Sequence, residues 1–181
     1  MKNYFYISIL LACTYATIFA NNPNIKNKIQ SPIVKIQTTM GDIFIKLNCD
    51  KVELTCQNFI SYVEDKFYDD TIFHRVIDGF IIQGGGFDKN MLAKKTKKPI
   101  KNEATSSRPN KRGTIAMALT NKYNSAQTQF FINVNDNDDL NYNNKNYIGY
   151  TVFGEIFEGF PVIDRIKKVE THTVSYYSEI F

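Results

Sequence analysis

The stretch Phe73-His-Arg-Val-Ile-Asp-Gly-Phe-Ile-Ile-Gln-Gly-Gly-Gly-Phe87 decides how the rest of the chain is read. It sets Arg75 and Gln83 among the large apolar residues Phe73, Val76, Phe80, Ile81 and Ile82. Its glycines let the backbone turn sharply and approach other groups closely. Placed on one surface, Arg75, Ile77, Phe80 or Ile81 and Gln83 would form an apolar patch with a fixed cation and an amide at its edge. Such a patch suits a mostly apolar ligand that carries a carbonyl. The competing reading is a buried strand followed by a glycine loop, with an arginine that snorkels to water.

The residues around this stretch alternate with a period of two. Val34, Ile36 and Thr38 alternate with Lys35, Gln37 and Thr39, Met40-Gly-Asp42 turns the chain, and Ile43, Ile45 and Leu47 resume the pattern, which predicts an antiparallel hairpin. Asp50-x-x-Glu53 reads as a capping box. It opens a helix with Val52, Cys56, Phe59, Ile60, Val63 and Phe67 at helical spacing, a face suited to covering a sheet opening. The quoted stretch then gives a strand over Thr71–Val76, a turn at Asp78-Gly79 and a second strand over Phe80–Gln83 ending in glycines. Further strands are expected over Gly113–Leu119 and Phe130–Val134, with the polar loop Thr120–Thr128 between them. Gly159-Phe-Pro161 starts a second helix with Val162, Ile163, Ile166 and Val169 apolar. The expected fold class is mainly β, a closed or nearly closed antiparallel barrel with a helix over each end.

Three ordered blocks of this sequence resemble the signatures of the cyclophilin family of peptidyl-prolyl isomerases. They are the quoted run, then Gly113-Thr-Ile-Ala-Met-Ala118 with Ser125-Ala-Gln-Thr-Gln129-Phe-Phe-Ile132, and then Val152-Phe-Gly-Glu-Ile156. The resemblance runs from Ile33 to Val174. It implies an eight-stranded barrel capped by two helices, with no cofactor and no metal, that rotates X-Pro peptide bonds. Carried over, Arg75 is the catalytic arginine, Phe80 and Phe131 are the proline-pocket aromatics, and Leu140 is the aliphatic wall. Gln83 and Gln129 place Arg75 and substrate, Ala118 lines the next subsite with Met117 behind it, and the backbone at Leu119 pairs with peptide.

Departures from the family are specific. Ile81 stands where many members have Met, and Leu119 where Asn or Arg is common. Tyr150 replaces a His of the eukaryotic members and resembles the bacterial exported branch. Asp139 stands where an aromatic usually borders the pocket, which counts against cyclosporin binding. The family's last strand has no counterpart after Val169, which would leave an unpaired edge; the expectation is either a truncated chain or substitution by the N-terminal segment.

At 181 residues, one domain with a short appendage is expected. The net charge of +4 is too weak, without a patterned patch, to argue for nucleic acid. Lys89, Lys94, Lys95, Lys97, Lys98 and Lys101 read as a solvated loop, with no interleaved aromatic to stack on bases. Cys13, Cys49 and Cys56 with His74 and His172 lack metal-ligand spacing. Cys56 reads as a core residue, and a Cys49–Cys56 disulfide would need an oxidising compartment. The Asn/Asp-rich run 133–146 lacks the Gly and Glu of a calcium loop. Gly84–Gly86 lacks a phosphate-loop Lys-Ser/Thr, and no Ser or Cys lies in a nucleophile elbow. His74, inside an apolar strand, is expected to be structural.

Residues 1–20 read as a secretory leader, with Lys2 followed by an uncharged run from Tyr4 to Ala20. Residues 21–32 read as a linker and 33–181 as the isomerase domain. The expectation is export to the periplasm after cleavage at Ala20. Leu10-Leu-Ala-Cys13 offers a lipid-anchored alternative. The expected partners are Pro-containing unfolded or exported polypeptides, and the expected state is a monomer. A non-catalytic Pro-peptide-binding or chaperone module on the same scaffold is the alternative to an enzyme.

Overall fold

The alternation of the first hairpin is realised as β2 (Ile33–Thr38) and β3 (Gly41–Leu47), in a computed structural model that describes residues 6–10, 31–143 and 149–173. Val34, Ile36, Ile43, Ile45 and Leu47 are fully buried, as a period-two pattern with one inward face requires. Helix α1 (Glu53–Glu64) and strands β4 (Thr71–Ile77) and β5 (Ile81–Asp88) follow. Then come β6 (Thr114–Met117), β7 (Phe130–Asn133), β8 (Val152–Glu158) and helix α2 (Phe160–Ile166).

These seven strands form one antiparallel sheet in the order β2-β3-β8-β6-β7-β5-β4. With two helices they give a mainly-β fold. A further strand, β1 (Tyr6–Leu10), comes from the residues read as a leader. Its backbone pairs antiparallel with β2 (Ile7 opposite Thr38 through Leu10 opposite Lys35) and, more briefly, with β4 (Tyr6 opposite Ile72 and Ile7 opposite Thr71). Among the described residues, β1 thus pairs along the outer edge of β2 and the outer edge of β4. The linker 21–30, Cys13 and the final residues 174–181 lie outside the described residues.

The core is aromatic. Phe59 of α1 packs against Tyr68, Phe130 and Phe153 with ring centroids 5.2, 5.8 and 5.0 Å apart, so the helix covers one end of the sheet by inserting a ring. Burial of side chains of this size contributes about 1.5–3 kcal/mol each. At the other end α2 buries Val162, Ile163 and Ile166, and Arg165 donates to the Met40 carbonyl at 2.7 Å.

Three local expectations are corrected. The capping box does not form: α1 begins after Val52, without a side-chain cap from Asp50. Instead the Glu103 carboxylate, distant in sequence, accepts from the Thr55 amide (2.7 Å), the Thr55 hydroxyl (2.7 Å) and the Leu54 amide (3.4 Å). The glycine run does not end β5 but lies inside it. Gly85 has φ +81°, and a Cβ there would come within 2.8–2.9 Å of the Phe130 and Tyr68 rings. Only glycine lets the strand pass this close under the core.

The lysine-rich segment is a loop with Lys89, Lys95, Lys97, Lys98 and Lys101 exposed, as expected, and two of its lysines make specific contacts. Lys94 donates to the carbonyls of Phe67 and Asp69 over the Phe67 ring, and Lys97 pairs with Asp65 at 2.7 Å. Two of its cations thereby hold the chain just beyond α1, where carbonyls lack helical partners. Finally, Cys49 and Cys56 are joined in a disulfide with Cα atoms 5.2 Å apart, tying the end of β3 to α1. Cys56 is indeed fully buried, but as half of a bridge.

Candidate active site

Strand register assembles the central row of the site. Arg75 on β4 stands opposite Gln83 on β5, Gln83 opposite Phe131 on β7, Phe131 opposite Ala116 on β6, and Ala116 opposite Val152 on β8. Cross-strand partners share a face of the sheet, so five strands contribute one row of side chains. In the adjacent row Ile81 stands opposite Asn133.

On this face Ile81, Ala116, Phe131 and Val152 form a buried apolar cluster separate from the main core. Phe80, Ala118, Leu140 and Tyr150 pack against it, each partly open to solvent. The Tyr150 ring meets Phe131 edge-on, centroids 5.3 Å apart and planes at 84°. The result is a shallow apolar floor walled by two aromatic rings and an aliphatic side chain.

Polar groups line one rim. The Arg75 guanidinium carbon lies 5.9 Å from the Phe80 ring centroid, close enough for a cation–π attraction. Arg75 Nη1 donates to Gln83 Oε1 at 3.4 Å, and Gln83 Nε2 donates to Gln129 Oε1 at 2.9 Å. A Cβ on Gly86 would lie 2.5 Å from Gln129 Cγ, so the glycine is what lets Gln129 lie along the strand and hold Gln83. None of the salt bridges among the described residues involves Arg75, and the residue is exposed. Its remaining donors are therefore not committed to a carboxylate.

Behind Arg75, His74 packs against the Phe87 ring at 4.7 Å. Burial, and secondarily the Arg75 charge, push its pKa down to about 4. At neutral pH the imidazole is uncharged, leaving Arg75 as the cation of this corner.

Arg75, Phe80, Ile81, Gln83, Ala118, Gln129, Phe131, Leu140 and Tyr150 are brought together as expected from the sequence. Met117 and Leu119 are not on this face: both side chains belong with the main core, Met117 fully buried. Alternation along β6 explains it, since Ile115 and Met117 point inward and Ala116 points to the cluster. Ile77 is exposed and outside the cluster. Asp139 is exposed, on the short 3-10 turn Asp138–Leu140.

Ala116 and Val152 were missed as floor residues, although strict alternation from Ala118 would have found Ala116. Also unforeseen were the buried Asn110, Asn133 and Asn137 behind Phe80 and Leu140. No group of three or more His, Cys, Asp or Glu among the described residues could hold a metal ion.

Comparison with known proteins agrees with this geometry. Residues 33–179 match the family model described as cyclophilin type peptidyl-prolyl cis-trans isomerase. The chain is 49% identical over 150 residues to peptidyl-prolyl cis-trans isomerase B of Escherichia coli, covering 82% of this chain and 92% of that protein. It is 47% identical over 148 residues to a peptidyl-prolyl cis-trans isomerase of Acinetobacter baylyi, covering 82% and 78%. Among solved structures, a Cryptosporidium parvum cyclophilin type isomerase crystallised in the presence of the dipeptide Ala-Pro superposes with a TM-score of 0.66. That match has 28% identity and covers 77% of this chain and 87% of the other. The chain belongs to the cyclophilin-type peptidyl-prolyl cis-trans isomerases.

Proposed function

We propose that this isomerase uses Arg75, beside the Phe80–Phe131–Leu140 pocket, to rotate X-Pro bonds of polypeptides folding outside the cytoplasm. Resonance holds the X-Pro bond behind a barrier of about 18–20 kcal/mol. Uncatalysed exchange therefore takes roughly tens to hundreds of seconds. The pyrrolidine ring would rest on Phe131, Ala116 and Val152 between Phe80 and Leu140. In the twisted amide the nitrogen regains its lone pair, and a guanidinium hydrogen bond to that nitrogen stabilises the twisted form more than the planar one. Arg75 suits this because it stays charged and holds its donors in a rigid fork. Gln83, braced by Gln129, fixes the direction of that fork. No bond is made or broken.

The observation that carries the reading is the single row Arg75–Gln83–Phe131–Ala116–Val152 across five strands, apolar at one end and cationic at the other. Export is supported by the leader-like residues 1–20 and by the Cys49–Cys56 bridge, which persists in oxidising compartments. In the unprocessed chain Tyr6–Leu10 closes the sheet into an eight-stranded barrel, and cleavage after Ala20 would release it. The exposed Asp139 carboxylate at the pocket border disfavours a large apolar macrocycle such as cyclosporin.

The test is proton-exchange NMR on an Ala-Pro-containing peptide with catalytic amounts of protein, paired with refolding of a substrate protein limited by proline isomerisation. Acceleration in both is expected. Binding of the peptide without faster exchange would leave a non-catalytic peptide-binding module, and the enzymatic reading would fail.

A further inference from the structure

Three buried asparagines join two walls of the pocket that lie on different elements. Asn137 Nδ2 donates to the Phe80 carbonyl at 2.9 Å and to Asn133 Oδ1 at 2.7 Å. Asn133 Nδ2 donates to Asn110 Oδ1 at 3.1 Å and to Thr114 Oγ1 at 2.9 Å. Asn110 Nδ2 donates to the Leu140 carbonyl at 2.9 Å, and the half-exposed Asn141 accepts from the Asn110 amide at 2.6 Å. The chain of bonds thus runs from the backbone of Phe80, through three side chains, to the backbone of Leu140.

Each of the three side-chain NH2 groups has two acceptors, counting the longer 3.4 Å contact from Asn110 to Asn141 Oδ1. Each amide orientation is fixed by its neighbours: turning Asn137 over would set its oxygen against the Phe80 carbonyl and the Asn133 oxygen. Relative exposures of 0%, 0% and 8% for Asn110, Asn133 and Asn137 keep water from replacing a lost partner cheaply. Phe80 sits just before β5 and Leu140 on the 3-10 turn, and no strand pairing joins those two segments. The Val134 amide also reaches the Phe80 carbonyl, and the Tyr150 amide reaches that of Leu140, so both walls are tied to the strands behind them.

We infer that Asn110, Asn133 and Asn137 are positioning residues that set the separation of the Phe80 and Leu140 walls, and hence how well the pocket accepts a proline ring. This rests on the pocket reading above. It divides the labour of the site: the network governs how tightly proline is held, while Arg75 governs how fast the held bond turns. At its half-exposed end the network meets a carboxylate, with Asn141 Nδ2 donating to Asp138 Oδ1 at 3.0 Å.

The experiment measures two quantities for one Ala-Pro peptide, the dissociation constant by NMR titration and the exchange rate at saturation, at a temperature where every variant is folded. For Asn137→Ala the dissociation constant should rise about tenfold while the saturated rate stays within about twofold, because wall displacement costs binding geometry. Asn141→Ala, at the half-exposed end, should give a smaller rise with the same split. Ile166→Val, under α2 and remote from both walls, should lower the melting temperature without moving the dissociation constant. An unchanged dissociation constant for Asn137→Ala, or an equal rise for Ile166→Val, would overturn the inference. So would failure of both asparagine variants to fold, which would make the network a determinant of the fold alone. Wild-type protein that binds the peptide without accelerating exchange would refute the enzymatic reading instead, and the binding comparison would still decide this one.

Discussion

Arg75 and His74 are sequence neighbours with different environments, at a point where the register of β4 on β5 shifts between Phe73 and Arg75. Arg75 points out to the rim, whereas His74 is half-buried against Phe87, and desolvation drives its pKa to about 4. The unfolded chain would bind that proton near pH 6.5. Between those values the unfolded state carries more protons, so stability rises with pH there. The stabilising contribution is complete above about pH 6.5 and is lost as pH falls through 4. Urea unfolding at pH 7.5 and 4.5 should show lower stability at the acid end, and His74→Phe should shrink the difference. An equal acid loss in His74→Phe would place its cause elsewhere. At this scale the site was largely legible: Phe80, Phe131, Leu140, Gln83 and Gln129 stand where the resemblance put them. Met117 lies behind Ala118 in the main core, as read from the sequence, because a strand sends consecutive side chains to opposite faces.

The elements show where local rules are overridden. Asp50 and Glu53 have the spacing of a capping box, yet Glu103 from a distant loop caps α1. No local pattern announces this, since the pairing spans 48 residues. An anion at a helix start satisfies exposed amides and meets the positive end of the helix dipole. Glu103→Ala should therefore destabilise the fold by about 1–2 kcal/mol. Asp50→Ala should be nearly silent, and chemical denaturation would distinguish the two. A larger loss for Asp50→Ala would restore the local cap. The glycine run teaches a similar lesson. Three successive glycines read as a loop, but here the missing side chains make room for Phe130, Tyr68 and Gln129 above a continuing strand. Glycine reports that something comes close, and only the tertiary structure says what.

For the whole molecule, the unsettled question from the sequence was what pairs with the outer edges of β2 and β4. Hydrophobic alternation gave β2 and β3, the resemblance gave β8, and the helices followed from their spacing. Substitution by the N-terminal segment was one of two alternatives the sequence left open, because an uncharged N-terminal run has the same composition whether it serves as a leader or as a strand. The pairing of Tyr6–Leu10 with both edges predicts that the chain beginning at Asn21 unfolds at a lower temperature than the full chain and self-associates more readily, because open edges template further pairing. Calorimetry and light scattering on the two chains would check this, and identical melting temperatures would show that β1 adds nothing to stability.

Catalysis in this protein depends on Arg75 turning a bound proline rather than merely holding it. NMR line-shape analysis of one Pro peptide with wild-type protein and Arg75→Ala gives affinity and exchange rate together. The account predicts a dissociation constant within about threefold of wild type and a bound-state exchange rate lower by about a hundredfold, as expected when a donor acts mainly in the transition state. Equal exchange rates in the two proteins, or a loss confined to affinity, would contradict it.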